Sequence, residues 1–165
     1  LPFHGNHGVV HWARVLENGL RIAEDTGADR EVVALFALFH DARRVDENRD
    51  DDHGLRDALF AQSLRGTLIY LDDTQFDLLF EACRLHADGL TTGERTLLTC
   101  RDADRLDLGR VGIVPSPRYL GTKVASNLIP WGHVRAVEWY VLNAILASGG
   151  VGWATGPIVA VEPMC

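Results

Sequence analysis

Six residues able to bind a metal ion fall in one order along the chain: His11, His40 with Asp41 beside it, His53, His86 and Asp104. Imidazole nitrogen and carboxylate oxygen together suit iron, manganese, cobalt or zinc, with magnesium a further candidate, and they leave coordination positions for water or substrate. A divalent ion brings the pKa of bound water toward neutrality, so that hydroxide is available at physiological pH. A pair of ions also stabilises the attacking and leaving oxygens of an in-line displacement at phosphorus. Phosphate esters are the natural substrates of such a site.

Taken singly, each candidate is weak, because a lone histidine beside a helix is more often a hydrogen-bonded structural residue than a ligand. The combination reads differently. His40 and Asp41 directly follow the apolar run VVALFALF, which delivers the pair at the end of a buried helix where neighbours can hold its rotamers. A purely structural role would require each buried polar group to find its own partner, at about 1–3 kcal/mol for each one left unsatisfied. A shared ion satisfies several at once.

Around these positions stand groups suited to an anionic substrate. Arg14, Arg44, Arg56, Arg84 and Arg105 all lie within four residues of a candidate ligand, and the guanidinium fork matches phosphate oxygens. His7 is a candidate proton shuttle, and His4 sits near it at the start of the chain. Asp107, three residues after Asp104, is placed to orient a ligand or an arginine. Trp12 reads as packing beside the site; Trp131, Trp139 and Tyr140 read as core of the last helix.

The elements that must position these groups are helices. Apolar residues recur at helical spacing almost throughout, and no stretch alternates apolar and polar residues as a half-buried strand would. The spacing predicts helices from about Val9 to Asp25, from a cap at Asp29 to Asp41, from His53-Gly54 to Gly66, from Thr74 to His86, from Gly93 to Leu108 and from Trp131 to Ala147. Pro115 and Pro117 force a loop before the last of these. The fold class is therefore all-α, a single compact multi-helix bundle over residues 1–147, with the site where the second, fourth and fifth helices converge. Residues 148–165 show neither period and are assigned no role.

Composition bounds the function. At 165 residues the chain is one domain, and no apolar run is long enough to span a bilayer. No signal peptide is visible in LPFHGNHG, so the expectation is a cytoplasmic protein with no membrane partner. The formal net charge of -7 argues against duplex nucleic acid as a partner. Part of that acidity is the stretch with Asp46, Glu47, Asp50, Asp51 and Asp52, which reads as a solvated loop. Cys83, Cys100 and Cys165 have no CxxC spacing; the first two read as small core residues, outside any disulfide framework or cysteine-rich zinc site.

Three stretches resemble the HD superfamily of helical metal-dependent phosphohydrolases. HGVVHWARV at residues 7–15 is similar to that family's opening His with xxRV after it, which puts the ligand at His11. ALFHDARR at residues 37–44 resembles the defining His-Asp pair, with Arg44 where the family often has Lys. DADRLD at residues 102–107 resembles the distal motif, whose ligand would be Asp104. DDHGLRDA at residues 51–58 and CRLHADG at residues 83–89 further resemble the extra histidines of two-metal members, although His53 follows His40 by only 13 residues, a shorter step than in those members. The likeness spans about residues 7–113.

The resemblance implies an HD-type bundle in which His11, His40, Asp41 and Asp104 hold one ion and Asp41 bridges to a second held by His53 and His86. It implies a metal-dependent hydrolase of a phosphate mono- or diester, a nucleotide or another small phosphorylated molecule. Asp41, Arg44 and His7 would then be catalytic, and Arg14, Arg44, Arg56 and Arg105 would bind substrate. Two other readings stay open: a di-iron oxygenase of the same fold cleaving a small diol or phosphonate, and a binding module that keeps its metal without turnover. Neither the native metal nor the oligomeric state follows from the sequence.

Overall fold

Helix boundaries in this chain are set by side chains that take up orphaned backbone groups. Asp29 accepts the N–H groups of Glu31 and Val32, and Glu94 accepts those of Thr96 and Leu97. Asp72 and Gln75 close a reciprocal capping box. In the computed structural model, which describes residues 5–147 and gives the backbone alone for residues 139–140 and 142–147, the helices are α1 Val9–Thr26, α2 Arg30–Phe39, α3 His53–Ser63, α4 Asp73–Leu85, α5 Arg95–Arg105 and α6 Lys123–Ala147. Two single 3-10 turns, Leu108–Val111 and Pro117–Tyr119, link α5 to α6. No β-strand occurs among the described residues. The fold is the all-α bundle that the helical spacing predicts; the side chains of Trp139 and Tyr140, His4, and the tail at 148–165 with Cys165 lie outside what is described.

The bundle is built around α2, which is apolar on nearly every face and packs on α1, α3, α4 and α5. Val32, Val33, Phe36 and Ala37 meet Val15 and Ile22 of α1, Leu79 and Cys83 of α4 and Cys100 and Ala103 of α5 in one buried cluster. α1 can lie close because residue 19 is glycine: a Cβ there would stand 2.5 Å from Val33 Cγ1. Burial pushes the Cys83 and Cys100 thiols up, so both stay protonated, as small core residues do. The described helices include none long and apolar enough to cross a membrane.

Two expectations need correction. The last helix begins at Lys123 instead of Trp131 and includes Pro130. Proline inside a helix removes one donor and crowds the carbonyl four residues earlier, at about 3 kcal/mol, but here packing outweighs it. Val124, Leu128 and Ile129 before the proline lie against the core. After it, residue 109 must be glycine, because a Cβ would come within 2.8 Å of Ala136 Cβ. Asp102 fixes the start by accepting the N–H groups of Gly121 and Thr122, while Thr122 Oγ1 accepts from Ala125. Trp131, expected in the core, is half-buried, with Arg21 and Arg135 each 4.4 Å from its ring.

Candidate metal centre

The α2 helix ends at Phe39, and a tight turn over residues 40–43 follows, carrying His40 and Asp41 at the buried end of the most apolar helix. Five elements, more than the three expected, bring their ends to this turn: His11 comes from the first turn of α1, His53 opens α3, His86 caps α4 and Asp104 lies in the last turn of α5. Phe36 forms the floor, stacked on the His40 ring at 4.8 Å and edge-on to His86 at 6.0 Å.

The six side chains form two adjoining groups. In the first, His11 Nε2 is 3.0 Å from His40 Nε2 and 3.4 Å from Asp104 Oδ1. In the second, His53 Nε2 is 2.9 Å from His86 Nε2 and 3.5 Å from Asp41 Oδ1. Asp41 serves both, because its Oδ2 is 3.4 Å from His11 Nε2 and 3.6 Å from His40 Nε2. Within each group the candidate donor atoms all lie within 4.8 Å of one another. Atoms bound to one ion at about 2.0–2.1 Å are separated by comparable distances.

Hydrogen bonding fixes the tautomers. The Nδ1 atoms of His11, His40, His53 and His86 face Asp107 Oδ2 at 2.7 Å, Phe36 O at 3.1 Å, Asp50 O at 2.5 Å and Cys83 O at 2.7 Å. A carboxylate or carbonyl oxygen only accepts, so each imidazole carries its proton on Nδ1 and points a lone pair from Nε2 inward. Four lone pairs thus converge on two carboxylates. Burial also pushes the His40 pKa down to about 3, which keeps that ring neutral. Asp104 would be raised by burial, but the Arg110 guanidinium holds it at about 2.

Arg110 and Arg44 stand at the edges of this arrangement without hydrogen-bonding its inward oxygens, and the buried atoms register the deficit. Asp41 Oδ1 and Asp104 Oδ1 are buried without a hydrogen-bond partner. At the second group the nearest positive atom is Arg44 NH1, 3.2 Å from His53 Nε2 and 3.6 Å from Asp41 Oδ1. Its other donors are held by the Asp46 and Asn48 carbonyls. Donor chemistry, spacing and orphaned oxygens all fit divalent ions.

The remaining expected groups are spread more widely. Arg14 gives Nε and NH2 to Asp107, which in turn holds His11. Arg56 grips Asp50, and Arg105 donates NH1 to the carbonyls of Leu90 and Tyr119. Arg84 is exposed on α4, and Trp12 is half-buried beside His11 in the chain. His7 lies 6.2 Å from the His11 ring with Nδ1 donating to Glu47 Oε2, and its pKa is lowered chiefly by burial. The acidic stretch is thus more than a solvated loop: Glu47 orients His7 and the Asp50 carbonyl orients His53.

Sequence reasoning passed over Arg110, whose NH2 is 3.8 Å from Asp104 Oδ1, and Gly54. A Cβ at Gly54 would stand 2.8 Å from the Cys83 carbonyl and 2.7 Å from that of Arg84. That close approach lets His53 meet His86, and the His53-Gly54 opening was its one visible signal.

Beside the second group a cleft of about 440 Å³ is lined by Arg44, Arg49, Asp50, Asp51, His53 and Asp88. The Asp104 side chain is 17% exposed against 3% for Asp41, so the first group also has an approach from solvent.

No family model matches the chain, and no curated protein matches its sequence. Among solved structures it is similar to a predicted HD superfamily hydrolase from an uncultured Thermotogales bacterium. The two are 28% identical with a TM-score of 0.63, over 87% of this chain and 82% of the other. That shared architecture meets the H…HD…D order at one clustered site, and the chain accordingly has the all-α fold of the HD superfamily.

Proposed function

We propose that this chain is a metal-dependent hydrolase of a small phosphate mono- or diester, a nucleotide or another small phosphorylated molecule. One observation carries the reading: four Nε2 atoms converge on Asp41 and Asp104, and Oδ1 of each carboxylate is buried without a hydrogen-bond partner. Divalent ions bound there supply an acidified water and Lewis-acid polarisation of a phosphoryl oxygen. Water adds to phosphorus, the P–O ester bond breaks, and the alcohol leaves with a proton.

The protein's own groups divide the remaining work. Asp41 presents one oxygen to each group of histidines and so sets their separation. Arg44, steadied by two loop carbonyls at the cleft, meets phosphate oxygens and offsets the charge that develops on them. His7, oriented by Glu47 through Nδ1 and kept neutral by burial, takes up at Nε2 the proton that the attacking water gives up and returns it to the departing oxygen. Arg14, Arg56 and Arg105 do not line this cleft and bind Asp107, Asp50 and backbone carbonyls, so we assign them to holding the site in place of touching substrate.

The test is metal analysis of protein purified without chelator, then a screen of nucleotides and generic phosphate esters with manganese, cobalt, zinc, iron and magnesium, in air and without oxygen. Turnover should proceed without oxygen, and Asp41→Ala should abolish both metal content and turnover. Full activity in that variant, or iron-dependent oxygen consumption with a diol or phosphonate in place of hydrolysis, would overturn the reading.

A further inference from the structure

The backbone of Arg43, two residues past Asp41, is gripped on both sides by α3. Its N–H donates to Asp57 Oδ1 at 2.6 Å, and its carbonyl accepts from Arg56 Nε at 3.3 Å. Residues 53, 56 and 57 share one face of α3, one turn apart, so the helix that grips the turn is the helix that carries His53. Arg56 also donates NH2 to both Asp50 oxygens, and the Asp50 carbonyl receives His53 Nδ1–H. Above this, the Arg43 guanidinium lies 5.2 Å from the Phe60 ring, and Phe60 meets Phe39 at 5.7 Å.

Asp57 is an unusual residue for plain packing. It is completely buried beside Ala58 and Ala61, which fill the same helix with methyl groups, and its Oδ2 has no partner. Burial pushes its pKa up to about 8, so it accepts from Arg43 as a neutral carboxyl group. A carboxyl group in an apolar interior is costly. What it secures is the one backbone N–H through which α3 holds the His-Asp turn. The first group of ligands has separate supports, since His11 rests on Asp107 and Asp104 on Arg110.

We infer that Arg56 and Asp57 act as a clamp on residue 43 that sets the separation of Asp41 from His53, making Asp57 a positioning residue for the second ion alone. The inference rests on the two-ion reading of the site given above. Cobalt titration, followed by absorption and by metal analysis of the washed protein, tests it alongside circular dichroism. Wild type should take up two ions. Asp57→Ala should keep its helical content and its first ion, with affinity for the second weakened at least tenfold. Asp57→Asn keeps the accepting oxygen and should restore the second ion. Should the alanine variant fail to fold, Arg56→Ala, at a partly exposed position, should weaken the second ion in the same selective way. Two ions bound at wild-type affinity by folded Asp57→Ala or by Arg56→Ala overturn the clamp and leave the two-ion reading standing. A wild-type chain taking fewer than two ions overturns both.

Discussion

At the scale of single residues the site is governed by what stands behind each ligand. His11 reaches inward because Asp107 accepts its Nδ1 proton, and Asp107 is itself held by Arg14 through Oδ1 and Oδ2. Such supporting carboxylates commonly change metal affinity by about 10–100-fold when altered. Asp107→Asn should therefore raise the dissociation constant for manganese or zinc within that range, read by competition with a fluorescent chelator; an unchanged constant would remove Asp107 from the site. Asp57 gives a pH signature. Its carboxyl faces the Arg43 amide and the fields of Asp41, Arg56 and Arg44, with burial dominant. The folded chain keeps a proton that the unfolded chain releases near pH 4, so this group's contribution is most favourable below that pH and is lost as pH rises toward about 8. Chelator-treated wild type should lose stability relative to Asp57→Asn between pH 5 and pH 8 in urea melts, and parallel pH profiles would contradict a protonated Asp57.

At the scale of elements, helix ends decide the geometry. The residue types that bind metal, and the apolar helix that delivers His40 and Asp41, are legible in the sequence because they are local. Glu47 and Gly54 are not, because their partners lie far along the chain: Glu47 meets His7 across 40 residues, and Gly54 matters only where α3 crosses the end of α4. The run through Pro130 escaped for the same reason, since local propensity stops a helix there and packing against distant segments, including Leu106 and Gly109, carries it on. Gly54 tests the element scale directly. The carbonyls of Cys83 and Arg84 that an added methyl would strike are backbone and cannot rotate away, and Cys83 O already holds His86. Gly54→Ala should destabilise the fold by about 1–3 kcal/mol and separate His53 from His86, lowering cobalt uptake below wild type. Unchanged melting and uptake would show that the two helices can part without cost.

At the scale of the whole molecule, five of the six described helices send an end or a first turn to one place, so ions held there would tie together segments from residue 11 to residue 104. In their absence the chain must hold four inward lone pairs and two buried carboxylate oxygens against one another, a local conflict in a protein whose net charge is already -7. An ion that bound this arrangement and not the unfolded chain would stabilise it by mass action: at a thousandfold excess over the dissociation constant the gain is about 4 kcal/mol. For a chain of this size each kcal/mol moves the melting temperature by about 2–4 °C. Stripping the protein with chelator should thus lower its melting temperature by roughly 8–16 °C, and adding back manganese, cobalt or zinc should restore it. Asp41→Ala should melt at the same temperature with and without metal, since both groups of ligands lose their common carboxylate. A wild-type chain whose melting is indifferent to chelator and to added metal would mean that the converging histidines are held by the helices alone.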